Sequence, residues 1–313
     1  MNTTAQDVVV KKVKLLPKKK LSKYTVHEER VAWLFILAPI LQFLLFASIP
    51  MIYSFVASFT DWDGMSKMTF VGFSNYIEMF KDINFYKALF NTVFYLIGIP
   101  IGMILSLLLA MAMNRDIKGI RIFRTIYYVP VVSSLVAISI IWGWIYNGDY
   151  GLINSTLAMF GIQGPAWLFE PAFVKPAMIV MLVWKGLGSS LLLYLAGLQN
   201  IPADYYEACE IDGANAFQKF RHITLPLITP VSFYIVVTSI IGGLQIFTEI
   251  QVMTPNGGTD YSSASIVFYL FNKAFRSYQM GFASAVAWVL GVIIFIATII
   301  QFKNSDRWVN NMN

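Results

Sequence analysis

Lys185 is a charge placed in the wrong solvent. It lies nine residues inside an apolar run, Pro176 to Ala203, that holds no other Asp, Glu, Lys or Arg. A charge near the bilayer midplane costs at least ~2.5 kcal/mol on insertion scales, so it must face a cavity or a partner. One reading makes it a cavity wall. The other makes it a structural bond to a carbonyl or carboxylate at a subunit seam. Trp184, Gly186, Gly188, Ser189 and Ser190 surround it, and glycines permit a bend and close approach to a ligand. A second polar set follows at Ser239, Gly242-Gly243, Gln245 and Glu249. Gln245 and Glu249 are four apart and share a helix face. The glycine pair weakens its helix, and broken helices with free backbone groups are a common feature of transport sites. These side chains suit reversible recognition of a polyhydroxylated solute, with Phe247 and Trp142 offering aromatic faces. For each residue taken alone, helix packing is the competing reading.

Bond-making chemistry finds little support. There is no glycine-rich phosphate loop ending in Lys-Ser/Thr and no G-x-S-x-G nucleophile turn. His27 and His222 stand far apart, and no His/Cys/carboxylate cluster has metal-ligand spacing. The lone Cys209 excludes an internal disulfide and sits where a small residue packs. No metal is expected, and any ATP must be bound by a partner. Asn154-Ser155-Thr156 fits a glycosylation pattern too short to carry weight.

The elements that position these residues follow from charge-free runs. The chain is 57% hydrophobic and only 13% charged, about half the charge of a soluble domain. No Asp, Glu, Lys or Arg occurs in 31–60, 88–114, 125–148, 223–248 or 277–302. Each run exceeds the ~20 residues that cross a bilayer core. With the Lys185 run they predict six transmembrane helices in an all-α membrane protein, at about 31–59, 88–113, 124–147, 174–198, 227–250 and 278–302. The runs lack the alternation of barrel strands. The expected domain layout is a basic tail over 1–30, a six-helix domain over 31–305 and a short end over 306–313. Gly98-x-x-x-Gly102 fits close helix packing, with Pro100 kinking the span. Trp62, Trp144, Tyr146 and Trp167 lie near predicted boundaries and read as interfacial anchors. The segment from Asn147 to Phe173 is expected to form a short external cap.

Orientation follows from Lys and Arg in short connections. The first 30 residues carry eight, against Asp7, Glu28 and Glu29. Arg115, Lys118, Arg121 and Arg124 fill the second connection, Lys219 and Arg221 the fourth, and Lys303 and Arg307 the C-terminal end. The first, third and fifth connections are poorer. Both termini and the 198–228 loop are therefore expected in the cytoplasm. The basic tail sets topology and attracts anionic lipid; nucleic acid is not its expected partner.

That 198–228 loop is far longer than a turn requires. Pro202 suits a first helical turn, and Asp204 and Glu207 favour the positive end of its dipole. Tyr205, Ala208, Cys209 and Asp212 share one face. Gly213 breaks the helix, Asn215 to Arg221 resumes it, and Leu225-Pro226 is expected to end it. The result is two short helices with an elbow. The competing reading is an amphipathic hairpin on the membrane surface, which calls for more Lys and Arg.

Glu207-Ala208-Cys209, then Gly213, Ile223 and Leu225-Pro226, at spacings of three, nine and one intervening residues, resembles the "EAA" loop of binding-protein-dependent ABC importer permeases. Cys209 stands where the family usually has Ala. Trp184-Lys185, Leu195 to Pro202, Ile211 to Ala214, Asn91-Thr92, Val129-Pro130, Ile141-Trp142, Gly151 to Asn154, Val252 to Thr254 with Gly257-Gly258, Ala274-Phe275 and Gly281 to Ala285 are similar to the carbohydrate-uptake subfamily. The likeness covers roughly 30–305 and is to the maltose and glycerol-phosphate F/A-type subunit.

The resemblance implies the type I importer fold, a second homologous permease, two cytoplasmic ATPase subunits that bind ATP and magnesium, and a solute-binding protein outside a prokaryotic cell membrane. It implies an ATPase-coupling surface at Glu207, Ala208, Asp212, Gly213, Phe217, Ile223, Leu225 and Pro226. The expected substrate path is Trp184, Lys185, Ser189, Ser239, Gly243, Gln245 and Glu249. The expected function is non-enzymatic: a permease subunit for carbohydrate, an oligosaccharide first. The alternatives are a non-sugar cargo such as glycerol-3-phosphate and an ion-coupled secondary carrier. Six helices without paired mid-membrane acids suit ion coupling poorly.

Overall fold

The computed structural model describes residues 23–114 and 119–309. The basic residues before Lys23, Arg115 and Lys118 of the second connection, and the last four residues lie outside them. Two units are distinguished, one ending at Tyr53 and one running from Ser54 onward. The first unit is helical from Lys23, with a π-helical turn at Leu44–Ser48.

Four helices are long and apolar enough to cross a bilayer unaided: Val31–Ala57, Ile83–Met113, Pro171–Gln199 and Met280–Ser305. Two further passages are bent pairs. Ile122–Val132 and Leu135–Ile145 meet at 101°, and Ala216–Leu227 and Thr229–Gly243 meet at 59°. The architecture is all-α, with one two-residue hairpin pairing Thr60 with Phe70 and Asp61 with Thr69. The turn of that hairpin is held by Asp63, whose carboxylate accepts from the backbone N–H groups of Ser66 and Met65 at 2.7 and 2.9 Å. Those two donors hold its pKa down to about 2.

Each break has a local cause. Pro130 leaves the Ile126 carbonyl without its helical donor, and Ser133 then adopts an extended backbone at ψ 149°. The third passage is thus a right-angled corner where a straight helix was expected. In the second, Pro100 interrupts the ladder to Leu96, and the α-helical pattern lapses between Tyr95 and Gly98. Gly98 is buried, and a Cβ there would sit 3.3 Å from Ile179 of the fourth span. The fifth passage stops at Gly243 and restarts at Thr248, so Leu244 to Phe247 run non-helically through what the sequence suggested was one helix.

Beyond the start of Pro171–Gln199, connections lock onto span ends. Asn91 donates to the carbonyls of Tyr261 and Ala264 at 2.9 and 3.0 Å. Lys175 donates to Asn91 Oδ1 and the Ser262 carbonyl. The Tyr95 hydroxyl donates to the Ser263 carbonyl at 2.8 Å. Asp82 caps Asn84, accepts from the Tyr269 hydroxyl at 2.7 Å and pairs with Lys273 at 3.3 Å. Burial pushes the Asp82 carboxyl up, but the Tyr269, Asn84 and Lys273 donors outweigh it, so its pKa ends below the ordinary value.

Two anchor assignments change. Tyr146 is 3% exposed and donates to the Ala177 carbonyl at 2.9 Å. Trp167 donates to Asn154 Oδ1 at 2.7 Å, while Asn154 Nδ2 bridges the carbonyls of Gly148 and Pro165. Both are internal struts. Asn154 is buried with both polar atoms engaged, which removes it as a glycan acceptor.

Candidate functional site

Two regions collect the candidate residues. One follows the C-terminal end of the fourth span, Pro171–Gln199, and the other is lined by residues within it, from Leu182 to Ser190.

The first is a jointed foot. Ala203–Ile211 starts behind Pro202, with Asp204 in its first turn where the dipole favours negative charge. It ends in a Schellman closure: Gly213 N–H bonds to Glu210 O at 3.0 Å and Ala214 N–H to Cys209 O at 2.9 Å. Gly213 has φ +78°, a left-handed conformation that glycine adopts without a Cβ penalty. From Ala216 the chain is helical again. Asn215 and Gln218 form a reciprocal capping box at 2.7 and 2.9 Å. The two arms are then tied across the elbow. Lys219 donates to Glu210 at 2.6 Å, which holds the Glu210 carboxyl below its ordinary pKa. The hydroxyls of Tyr206 and Thr224 meet at 3.0 Å.

The foot does not end at Leu225-Pro226. Phe220–Thr224 is a π-helical turn, with Leu225 N–H bonded to Phe220 O. The wider turn lets Pro226 continue the helix without clashing with the carbonyl of residue 222. The bend falls at Ile228–Thr229 instead, just before Pro230. Foot and fifth span therefore join through one bent helical rod.

Of the predicted coupling residues, Glu207, Ala208, Asp212, Gly213, Phe217 and Leu225 are exposed. Ile223 and Pro226 are half-buried at the root. Ile211 at the elbow is 87% exposed and Phe217 67%. Both are large apolar side chains exposed on an otherwise polar loop. Of the residues that shape the joint, Glu210 and Gln218 were not singled out from sequence, Asn215 was read only as the helix restart and Lys219 only as a topology charge. The capping box was open to reading, since Asn and Gln stand three apart before an apolar residue. The Glu210–Lys219 tie crosses the elbow and had no local signal.

The second region is a cavity of about 520 Å³. Six of the seven predicted path residues line it: Lys185, Ser189, Ser239, Gly243, Gln245 and Glu249. Trp184 does not. It packs edge-on against Trp142 at 5.5 Å. The break at Leu244 to Phe247 brings Gln245, Phe247 and Glu249 to the wall. Ser265 stabilises that break by donating to the Ile246 carbonyl at 2.5 Å. Gly98 and Gly102 of the second span complete the opposite wall; sequence reading assigned them to packing alone. Lys185 makes no ion pair with any described residue. Among the described residues, no group of three or more His, Cys, Asp or Glu could hold a metal.

Among the described residues, four to six candidate membrane passages, a cavity at a broken helix and a jointed foot fit a membrane permease. Residues 98–310 match the family of binding-protein-dependent transport system inner membrane components, and the chain belongs to it. It is 37% identical to the probable ABC transporter permease protein YesP of Bacillus subtilis over 93% of this chain and 95% of that one. It is 34% identical to the arabinooligosaccharides transport system permease protein AraP of Bacillus subtilis, over 88% of each. In fold it matches a chain of a bacterial alginate ABC transporter solved with its alginate-bound periplasmic protein, at TM-score 0.80 and 23% identity, covering 91% of this chain and 96% of that one. The fold is the type I ABC importer permease fold, and the protein is an ABC importer permease.

Proposed function

We propose that this chain is the F/A-type permease subunit of a carbohydrate importer, with an oligosaccharide as cargo. It forms half of a translocation pathway with a second, homologous permease. Its foot seats on one subunit of a cytoplasmic ATPase dimer, which binds ATP and magnesium; this chain holds no cofactor and hydrolyses nothing. A solute-binding protein delivers cargo at the opposite mouth. The chain lies in a prokaryotic cell membrane with both termini in the cytoplasm, a placement supported by the Lys and Arg of the even-numbered connections. The arabinooligosaccharide transport named for one relative supports the cargo class.

The observation that carries this reading is the foot. It is a tied, two-armed element, exposed at an apolar tip and continuous with the fifth span that lines the cavity. An element with discrete arrangements can pass a closing motion to the cavity wall; a loose linker cannot. Glu207 and Asp212 offer exposed carboxylates to cations on the ATPase, and Ile211 and Phe217 offer the apolar contact. The test is uptake by the importer reconstituted in vesicles with both permeases, ATPase and binding protein. Oligosaccharide accumulation is expected to require ATP and the binding protein, and the isolated chain is expected to bind no sugar with micromolar affinity. Tight binding to the isolated chain, or uptake driven by an ion gradient without ATP, contradicts the proposal.

A further inference from the structure

The connection between the third and fourth passages carries no charge. From Tyr150 to Phe169 there is no Asp, Glu, Lys, Arg or His, with Asp149 and Glu170 just outside. The first and fifth connections differ. The first holds Asp61, Asp63, Lys67, Glu78, Lys81 and Asp82, and the fifth holds Asp260, Lys273 and Arg276. Within the uncharged stretch, helix Leu152–Ala158 ends in a Schellman closure: Gly161 N–H bonds to Ala158 O and Ile162 N–H to Leu157 O, both at 3.0 Å. Gly161 takes φ +73° to make that turn. The turn holds out Met159 and Phe160, 83% and 77% exposed, with exposed Ile162 after them. The same helix is tied down by buried Asn154, which bonds to Gly148, Pro165 and Trp167. The Trp167 ring then meets Phe173, in the first turn of the fourth span, edge-on at 5.7 Å. The apolar turn is thus mounted on the end of a span.

From this geometry we infer that the turn from Met159 to Ile162 is a membrane anchor, seated at the boundary of headgroups and acyl chains in the leaflet opposite the foot. The fourth span separates the two, with the turn before Pro171 and the foot after Gln199. The inference goes beyond the transport reading and does not depend on the cargo. Exposed apolar side chains gain by leaving water, and the bilayer is already at hand on both flanks, where Leu135–Ile145 ends and Pro171–Gln199 begins. Trp144, at the end of the first of these, and Tyr150 are both exposed; aromatic residues at a span end mark headgroup level. A surface built for a water-soluble binding protein surrounds its apolar centre with a polar, charged rim. Here the rim has no charge for 20 residues. Lys and Arg help an interfacial helix that must find anionic lipid from solution; this one is delivered to the bilayer by its own spans. The anchor fixes the end of the span whose Leu182 to Ser190 stretch lines the cavity.

Spin labelling of the complete importer in vesicles of phosphatidylcholine and phosphatidylglycerol tests this. With Cys209→Ser as background and cysteine-free partner subunits, a nitroxide is attached at Phe160→Cys and, as a second site, at Ile162→Cys. Both positions are exposed, so the label displaces no packed neighbour. Lys67→Cys on the first connection is the water-facing reference. The collision probes are molecular oxygen, which concentrates in lipid, and a water-soluble nickel chelate. At both sites the ratio of oxygen to nickel collisions is expected to exceed that at Lys67→Cys about fivefold or more, with the binding protein present or absent. A ratio equal to that of Lys67→Cys overturns the inference. Nickel access that disappears when the binding protein is added assigns the turn to that protein and overturns it too. So does an immobilised label shielded from both probes, which assigns the turn to a seam with the second permease.

Discussion

Gly213→Val is expected to abolish ATP-driven uptake while leaving the protein inserted and assembled. The residue holds φ +78° at the turn between the two arms of the foot. An L residue in that region costs roughly 1–2 kcal/mol, and more when β-branched. A Cβ at Gly213 meets nothing within 4 Å, so the chain has room and the cost is conformational. The arms relieve it by opening, which breaks the Gly213 and Ala214 closures and stretches the Glu210–Lys219 tie. Gly213→Asn separates two effects, because Asn tolerates the left-handed region. Near-normal uptake by the Asn variant assigns the loss to the joint angle. Loss in both assigns it to a partner surface that closes over the turn. Normal uptake by the Val variant contradicts a mechanical role for the elbow. Uptake and size-exclusion profiles of the reconstituted complex read all three outcomes.

Gly188→Val is expected to act on folding. Gly188 lies one turn along the fourth span from Lys185, and a side chain there would collide with the Tyr127 carbonyl and the Val131 side chain. A backbone oxygen cannot swing aside as a side chain can, so helix 120–132 must move bodily. Overpacking of this kind costs roughly 1–3 kcal/mol or more. The helix that moves also carries the right-angled corner at Ser133, so the cavity wall at Leu135 shifts with it. A lower melting temperature and a loss of monodisperse complex are expected. Gly186 is the control. It faces open space with nothing within 4 Å, so Gly186→Ala is expected to melt with the parent. Equal melting of the Gly188→Val and parent complexes contradicts the close helix approach.

Much of this protein was legible because membrane spans write themselves locally. Charge-free runs mark passages whatever their packing, and Pro202, Gly213 and Asn215 act within a few residues of themselves. What stayed hidden depended on contacts between distant segments. Nothing near Asn91 announces that its amide will hold carbonyls 170 residues on. Tyr146 looked like an interfacial anchor because aromatic residues at span ends usually are; its partner, the Ala177 carbonyl, belongs to another helix. The Pro226 stop failed for a different reason. Proline excludes an ordinary α-turn before it, but a π-turn one residue longer removes the clash, and sequence gives no count of backbone bonds. The cavity was found because buried polarity is costly in lipid. Lys185 had to face a cavity or a partner, and it lines the cavity together with Gln245 and Glu249. Trp184, without charge, carried no such obligation and packs on Trp142 instead.

The central claim is that the exposed foot is the mechanical link to an ATPase. The sole native cysteine lies within it, so Cys209→Ser gives a background in which Ile211→Cys or Phe217→Cys is the only thiol of this chain. In the purified importer, a short thiol-to-amine crosslinker at either position is expected to capture the ATPase subunit, with a yield that changes when ATP is added. The same thiols are expected to react with impermeant maleimide only from the cytoplasmic side. Capture of the solute-binding protein, labelling from outside the cell, or no ATPase adduct in a complex that contains the ATPase contradicts the claim.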